Sequence, residues 1–340
     1  MRYRVFGGTG LQVSELGFGC GSVGGLIIRG DQKTVVKAVA RAVELGVNYF
    51  DTATFYGDGQ SETNLGAALA ELKADVLVGT KVLLTLPDLE DDIEDAMIAS
   101  LEASLKRLRR EYVDLFQIHN RIRVDRLYYR GGVSTTVSDI KTAADVCRFL
   151  QQQGKIRFWG LNGLGDTESI LEAVHSVDAQ TIQICYNLLN PSAGMQVPPA
   201  FPFQSYQQLI DKAVHRQLGV IAIRVLAGGA FSGTTERHPL ASGSFIPIGS
   251  GQDYQEDVNR SSLFSFLVKD GYTSSLIEAA LRFVISKPEI STALVGFSSL
   301  DQLEQAAKYV AEGPLPKEAL DRITDVVTRQ PETQGRDIKL

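Results

Sequence analysis

Four side chains of types that carry proton chemistry stand at or just beyond the ends of short apolar runs. The run GVNYFD stops on Asp51 and the glycine-rich stretch after it sets Tyr56 five residues on; VLVGTK leads to Lys81 and YVDLFQIH to His119. Singly, each has an ordinary explanation. An aspartate there is commonly a turn or cap residue, a tyrosine an amphipathic wall, a lysine solvent-facing and a histidine a hydrogen-bonded core residue. Together they suit one task. An ordinary tyrosine holds its proton too tightly to shuttle it at neutral pH, a nearby lysine ammonium favours the phenolate, and Asp51 can keep that lysine charged and oriented. His119 would then orient or polarise a carbonyl oxygen. The set suits reversible protonation of an alkoxide, the half of carbonyl reduction that a protein rather than a cofactor must supply.

Such groups must be gathered by the elements that carry them. Short β-rich runs alternate with amphipathic ones, the pattern of βα units around a parallel sheet. Strands are expected at Val13–Gly19, Val47–Asp51, Val76–Lys81, Val113–His119, Phe158–Leu161, Thr181–Cys185, Val220–Arg224 and Thr292–Gly296. Helices are expected at Gln32–Leu45, Glu62–Leu72, Ile93–Leu108, Lys141–Gln153, Thr167–Val177, Tyr206–Gln217, Ser275–Ser286 and Leu300–Ala311. Asp31 and Asp301 lie near helix starts, and Gly46, Gly154 and Gly219 just past helix ends, as capping requires. Eight strands close a (β/α)8 TIM barrel, whose strand ends gather on the face where active sites are built. No linker divides the chain. Residues 1–340 read as one domain, with βα units over about 13–311 and a C-terminal tail over about 314–340.

At 340 residues with 44% hydrophobic content the chain can bury a large core, and a net charge of −6 argues against a nucleic-acid or anionic-membrane surface. No run has the length of a membrane span and the N-terminus lacks a signal peptide's apolar core, so a soluble cytoplasmic protein is expected, as monomer or homo-oligomer. Cys20, Cys147 and Cys185 are widely spaced in apolar sequence, which reads as thiols rather than disulfides or a metal site. Three long interruptions follow strands, at Asn120–Ile140, Asn190–Ser205 and Gly228–Ser274, and such loops shape pockets or merely decorate the surface. Tyr128, Tyr129, Phe201, Phe203, Tyr254 and Phe264 in them could line an apolar pocket. Arg121, Arg123, Arg126 and Arg130 could meet an anion or simply be solvated.

With these segments in view, the chain resembles the aldo-keto reductase superfamily. YRVFGGTGLQVSELGFGCGSVGG is similar to that family's N-terminal cap and first strand. GVNYFDTATFYGDGQSETNLGAAL, GTK, YVDLFQIHN, GKIRFWGLNG, IQICYNLLN, GVIAIRVLAGGAFSG and ALRFVISKPEISTALVGFSSLDQLEQ match further family segments in order. The resemblance implies a (β/α)8 barrel with an N-terminal β-hairpin cap, binding NADPH or NADH without a Rossmann fold. It implies Tyr56 as proton donor, Lys81 and Asp51 tuning it, and His119 orienting a small carbonyl or alcohol substrate. Gly19, Cys20 and Gly21 match the loop beside the nicotinamide, and Gln183 the glutamine that contacts its carboxamide. The family's Ser-Asn pair appears as Asn162 and Gly163. Ile223 replaces the usual stacking aromatic and Arg224 a small serine, so apolar packing on the ring and a guanidinium near the pyrophosphate are expected, with backbone groups of the loop around Leu226 and Gly228. Trp159, in the fifth strand, is expected near the nicotinamide end.

After the eighth strand, Val295–Ala306 contains no Lys or Arg, where NADPH-preferring members usually present one to the 2′-phosphate. Gly296, Phe297, Ser298, Gln302 and Gln305 take the positions expected near the adenosine, so NADPH and NADH both remain open. Three alternatives accompany the reductase reading: an NAD-dependent sugar 1-dehydrogenase, to which GLNG and LVGF bear some likeness; a cofactor-binding, redox-sensing regulatory subunit with slow turnover; and a barrel lyase using Lys81 as a Schiff base.

Overall fold

The computed structural model describes residues 1–243 and 245–329; residues 330–340 of the expected tail lie outside them. Eight parallel strands close a barrel: β1 (Leu16–Gly19), β2 (Tyr49–Asp51), β3 (Leu77–Val82), β4 (Val113–Ile118), β5 (Ile156–Gly163), β6 (Thr181–Cys185), β7 (Gly219–Ile223) and β8 (Ile290–Gly296). Each pairs with the next, and β8 pairs with β1. Outside run α1 (Gln32–Glu44), α2 (Gln60–Leu72), α3 (Ile93–Leu108), α4 (Val137–Gln152), α5 (Thr167–Ser176), α6 (Leu209–His215), α7 (Leu276–Ile285) and α8 (Leu300–Ala311). This is the (β/α)8 barrel expected. Among the described residues no helix is long and apolar enough to cross a membrane.

Where the elements depart from expectation, local chemistry explains it. The expected strand Val13–Gly19 is two strands, because Gln12–Ser14 pairs antiparallel with Tyr3–Val5 in an N-terminal hairpin. Glu15 stands at the break, its carboxylate accepting from Arg2 Nε at 2.9 Å and Arg4 Nε at 2.8 Å. Helix α4 starts before Lys141, since Thr136 and Asp139 form a reciprocal capping box. Helix α6 starts only at Leu209, because Gln207 and Gln208 adopt φ of +50° and +57°. The loop Gly228–Ser274 carries a helix at Tyr254–Ser261, and the expected tail one at Lys317–Thr328 that buries Ala319, Ile323 and Val327.

Two apolar regions hold the barrel. The larger lies between strands and helices and includes Phe18, Phe50, Phe116 and Trp159. Trp159 is fully buried there and does not line the central cavity, contrary to expectation. It sits an odd number of residues from Asn162, so the two point to opposite faces of β5. The smaller region fills the barrel interior, where Phe6 from the hairpin packs with Val13, Tyr49, Leu115 and Ile221. Phe6 meets Tyr49 edge-on at 5.8 Å, and the Tyr49 hydroxyl donates upward to Asp51 at 3.0 Å. A column thus runs from the plugged floor to the strand ends. Gly79 makes room for it, since a Cβ there would lie 2.6 Å from the Tyr49 hydroxyl. Phe6→Ala should open a cavity under Tyr49 and cost about 3–5 kcal/mol. Denaturant unfolding of the variant measures this, and a loss below about 1 kcal/mol would deny the hairpin its plugging role.

Candidate active site

Alternation along the strands brings Asp51, Lys81 and Gln183 to the barrel axis, because each follows an inward-facing residue two positions earlier. Lys81 is buried and ion-pairs with Asp51. Its Nζ also donates to the Thr52 carbonyl at 2.7 Å and lies 3.4 Å from the Tyr56 hydroxyl. The other Asp51 oxygen accepts from Tyr49 at 3.0 Å and from Gln183 Nε2 at 2.8 Å. Burial works against the Lys81 charge, yet Asp51 and Tyr56 outweigh it and hold the ammonium's pKa above its usual value. Burial, with the Lys81 charge second, pushes the His119 imidazole down to about 3, so it is neutral at physiological pH. Its ring meets Tyr56 edge-on at 5.6 Å. All four expected groups are therefore together, and Gln183 is tied to the carboxylate as well as facing the cavity.

That cavity holds about 560 Å³ and reaches from Tyr56 and His119 to Gln302 and Gln305. Gly19, Gly21, Asn162, Gln183 and Ile223 line the end near Tyr56; Arg224, Leu226 and Gly228 line its β7 side. Gly296, Ser298, Gln302 and Gln305 line the far end. Cys20 does not line it: its thiol is buried, donates to the Phe18 carbonyl, and is pushed well up by burial. Two features suit a nicotinamide cofactor. Asn162 Nδ2 donates to the His119 carbonyl at 2.7 Å, while its Oδ1 is buried with no partner among the described residues, leaving an acceptor for an amide. Gly21 leaves backbone open beside Tyr56, where a Cβ would sit 3.3 Å from the ring. At the far end Ser298 is already bonded, its Oγ donating to the Gly24 carbonyl at 2.6 Å and its N–H to Gln302 Oε1 at 2.8 Å. A phosphate there would exchange these bonds for its own.

The long loops are only partly as expected. Tyr129 and Tyr254 line the cavity. Phe201 and Phe203 pack on each other, Phe264 is buried against Phe231, and Tyr128 is exposed. Arg123 and Arg126 pair with Asp166 and Asp139, whereas Arg121 faces the cavity. Two further residues shape the site and its walls, Tyr49 and Phe245. Tyr49 was legible as the inward neighbour of Asp51 two residues before it. Phe245 carried no signal: it comes from the loop after β7, and a Cβ on Gly228 would lie 2.0 Å from its ring.

Comparison with known proteins agrees with this geometry. The model of the Aldo/keto reductase family matches residues 15–328. The chain is 27% identical over 314 residues to aldo-keto reductase YhdN of Bacillus subtilis, covering 89% of this chain and 87% of that one. It is 28% identical over 318 residues to L-galactose dehydrogenase of Arabidopsis thaliana, covering 91% and 88%. An aldo-keto reductase of Klebsiella pneumoniae, solved with NADPH, shares the fold with a TM-score of 0.67 at 22% identity, over 99% of this chain and 100% of that one. With a family model spanning nearly all of its length and a matching barrel, the chain belongs to the aldo/keto reductase family of NAD(P)-dependent oxidoreductases.

Proposed function

We propose that the chain interconverts an aldehyde, ketone or sugar with its alcohol or lactone, with Tyr56 as general acid and base. The observation that carries this reading is the chain of contacts from Asp51 through Lys81 to the Tyr56 hydroxyl, beside a neutral His119. Asn162, the β1 loop and the groups after β7 and β8 would hold a nicotinamide, which when bound in its reduced form would supply the hydride. Tyr56 gives its proton to the alkoxide oxygen. The Lys81 ammonium stabilises the phenolate left behind, and Asp51 keeps that ammonium in place. Neutral His119 donates a hydrogen bond to the carbonyl oxygen and so orients the substrate. In the alcohol-to-carbonyl direction the same groups run in reverse. A sugar as substrate draws support from the relative named L-galactose dehydrogenase. The lyase alternative is disfavoured, because a lysine whose proton is held by a buried carboxylate is a poor amine nucleophile.

Tyr56→Phe should lower turnover of a simple aldehyde about 10²–10⁴-fold while cofactor affinity stays near wild type. Near-normal turnover would sink the mechanism. Because His119 titrates far below its usual range, kcat/KM should show no inflection near pH 6.5 attributable to it. A limb at that pH, removed in His119→Ala, would contradict the neutral-donor role. For the cofactor, no Lys or Arg lies in Val295–Ala306, so preference for NADPH over NADH should be weak. Ser298→Arg should raise NADPH affinity selectively, by about tenfold or more for a charge-assisted contact. Fluorescence titration with both cofactors measures this, and a wild-type preference of about a thousandfold would require a basic group from elsewhere.

A further inference from the structure

Two guanidiniums that line the cavity, those of Arg224 and Arg121, have no carboxylate partner among the described residues. Arg224 follows β7 with a left-handed φ of +60°, a conformation costly for a non-glycine residue, and its carbonyl accepts from Asn187 Nδ2 at 3.0 Å. Its guanidinium lies 4.7 Å from the Phe245 ring centroid, and its Nη1 is buried with no hydrogen-bond partner among the described residues. Arg121 stands two residues past His119 and lies 4.6 Å from the Tyr129 ring centroid; among the described residues its side chain has no ion pair or hydrogen bond. Other cations nearby are already engaged. Arg123 and Arg126 pair with aspartates, and Arg237 donates to the carbonyls of Gly228, Ser242 and Val23. The carboxylates lining the cavity are Asp51, matched by Lys81, and Glu236.

A half-buried guanidinium whose Nη1 is shut off from water with no acceptor is costly unless something anionic completes it. Planar guanidiniums also match carboxylate and phosphate geometry. We propose that Arg224 and Arg121 bind an anionic group, carboxylate or phosphate, on the substrate whose carbonyl reacts at Tyr56. This rests on the reductase reading above and narrows its substrate class. Arg224 lines the same cavity as Tyr56, His119 and Arg121 and also stands beside the Gly228 loop through Phe245, so the test below separates a substrate anion from the cofactor pyrophosphate. Burial is the largest influence on Arg224 and disfavours its charge, which an anionic substrate would relieve.

The test compares kcat/KM for matched pairs of aldehydes, 4-oxobutanoate against butanal and glyceraldehyde 3-phosphate against glyceraldehyde. At least one anionic member should be preferred about 10- to 100-fold, and which pair shows it distinguishes carboxylate from phosphate. Arg224→Met and Arg121→Met should each collapse that ratio by about tenfold, with Arg224→Lys retaining part of it. Thermal midpoints establish that the variants fold, and Arg121→Met, at a partly exposed position, carries the test if Arg224→Met does not. A wild-type ratio near one, or ratios unchanged in all variants, overturns the proposal while leaving the carbonyl chemistry intact. An unchanged ratio with cofactor affinity weakened more than about tenfold in Arg224→Met overturns it by assigning Arg224 to the pyrophosphate. Absence of turnover with every aldehyde and both cofactors removes the reductase reading, and this inference with it.

Discussion

The Asp51–Lys81 ion pair is the constraint around which the site is built. Two opposite charges fully removed from water are stable only when their remaining hydrogen-bonding capacity is met, and here it is met by parts of the barrel far apart in sequence. Tyr49 approaches from below, Gln183 from β6, the Thr52 carbonyl from the loop after β2, and the Tyr56 hydroxyl from the same loop. Removing one partner of such a pair typically costs about 3–5 kcal/mol because the other charge is stranded. The pair therefore fixes where the lysine ammonium sits relative to the phenol, and the barrel in turn is fixed around the pair.

Space around that pair is controlled by small residues and by a plug. Phe6 fills the floor and Gly79 yields room for Tyr49, so the column beneath the aspartate is rigid. Above it, Gly21 allows the β1 loop to pass beside the Tyr56 ring, and Gly24 lets that loop press on Phe297 after β8, where a Cβ would lie 2.3 Å from the Phe297 nitrogen. The two ends of the cavity are thus tied by backbone contact. Polarity differs along it: a neutral imidazole faces the phenol, the Arg121 and Arg224 guanidiniums, without ion pairs among the described residues, line the cavity, and neutral hydroxyl and amide groups lie toward Gln302 and Gln305.

Much of this was legible from local pattern. Short apolar runs ending on Asp51, Lys81 and His119, and helical runs bounded by Asp31, Gly46 and Gly154, marked the barrel and three of its chemical groups, because burial on both faces of a parallel strand and capping of helix ends are local demands. Even here ends slipped where side-chain bonding intervened, as at Glu15 and at the Thr136–Asp139 capping box. Tyr49 followed from strand alternation once Asp51 was placed.

What the chain order alone determined, then, was which residues share a strand, which way they alternate, and that Asp51, Lys81 and His119 stand at strand ends of one parallel barrel with Tyr56 in the loop after the first of them. Only the folded structure decided which of the loop arginines are paired and which are open, that Cys20 and Trp159 turn away from the cavity, and that Ser298 is bonded to Gly24. Those outcomes depend on contacts between segments up to 274 residues apart, whose register is set by barrel closure and not by any neighbour in the chain.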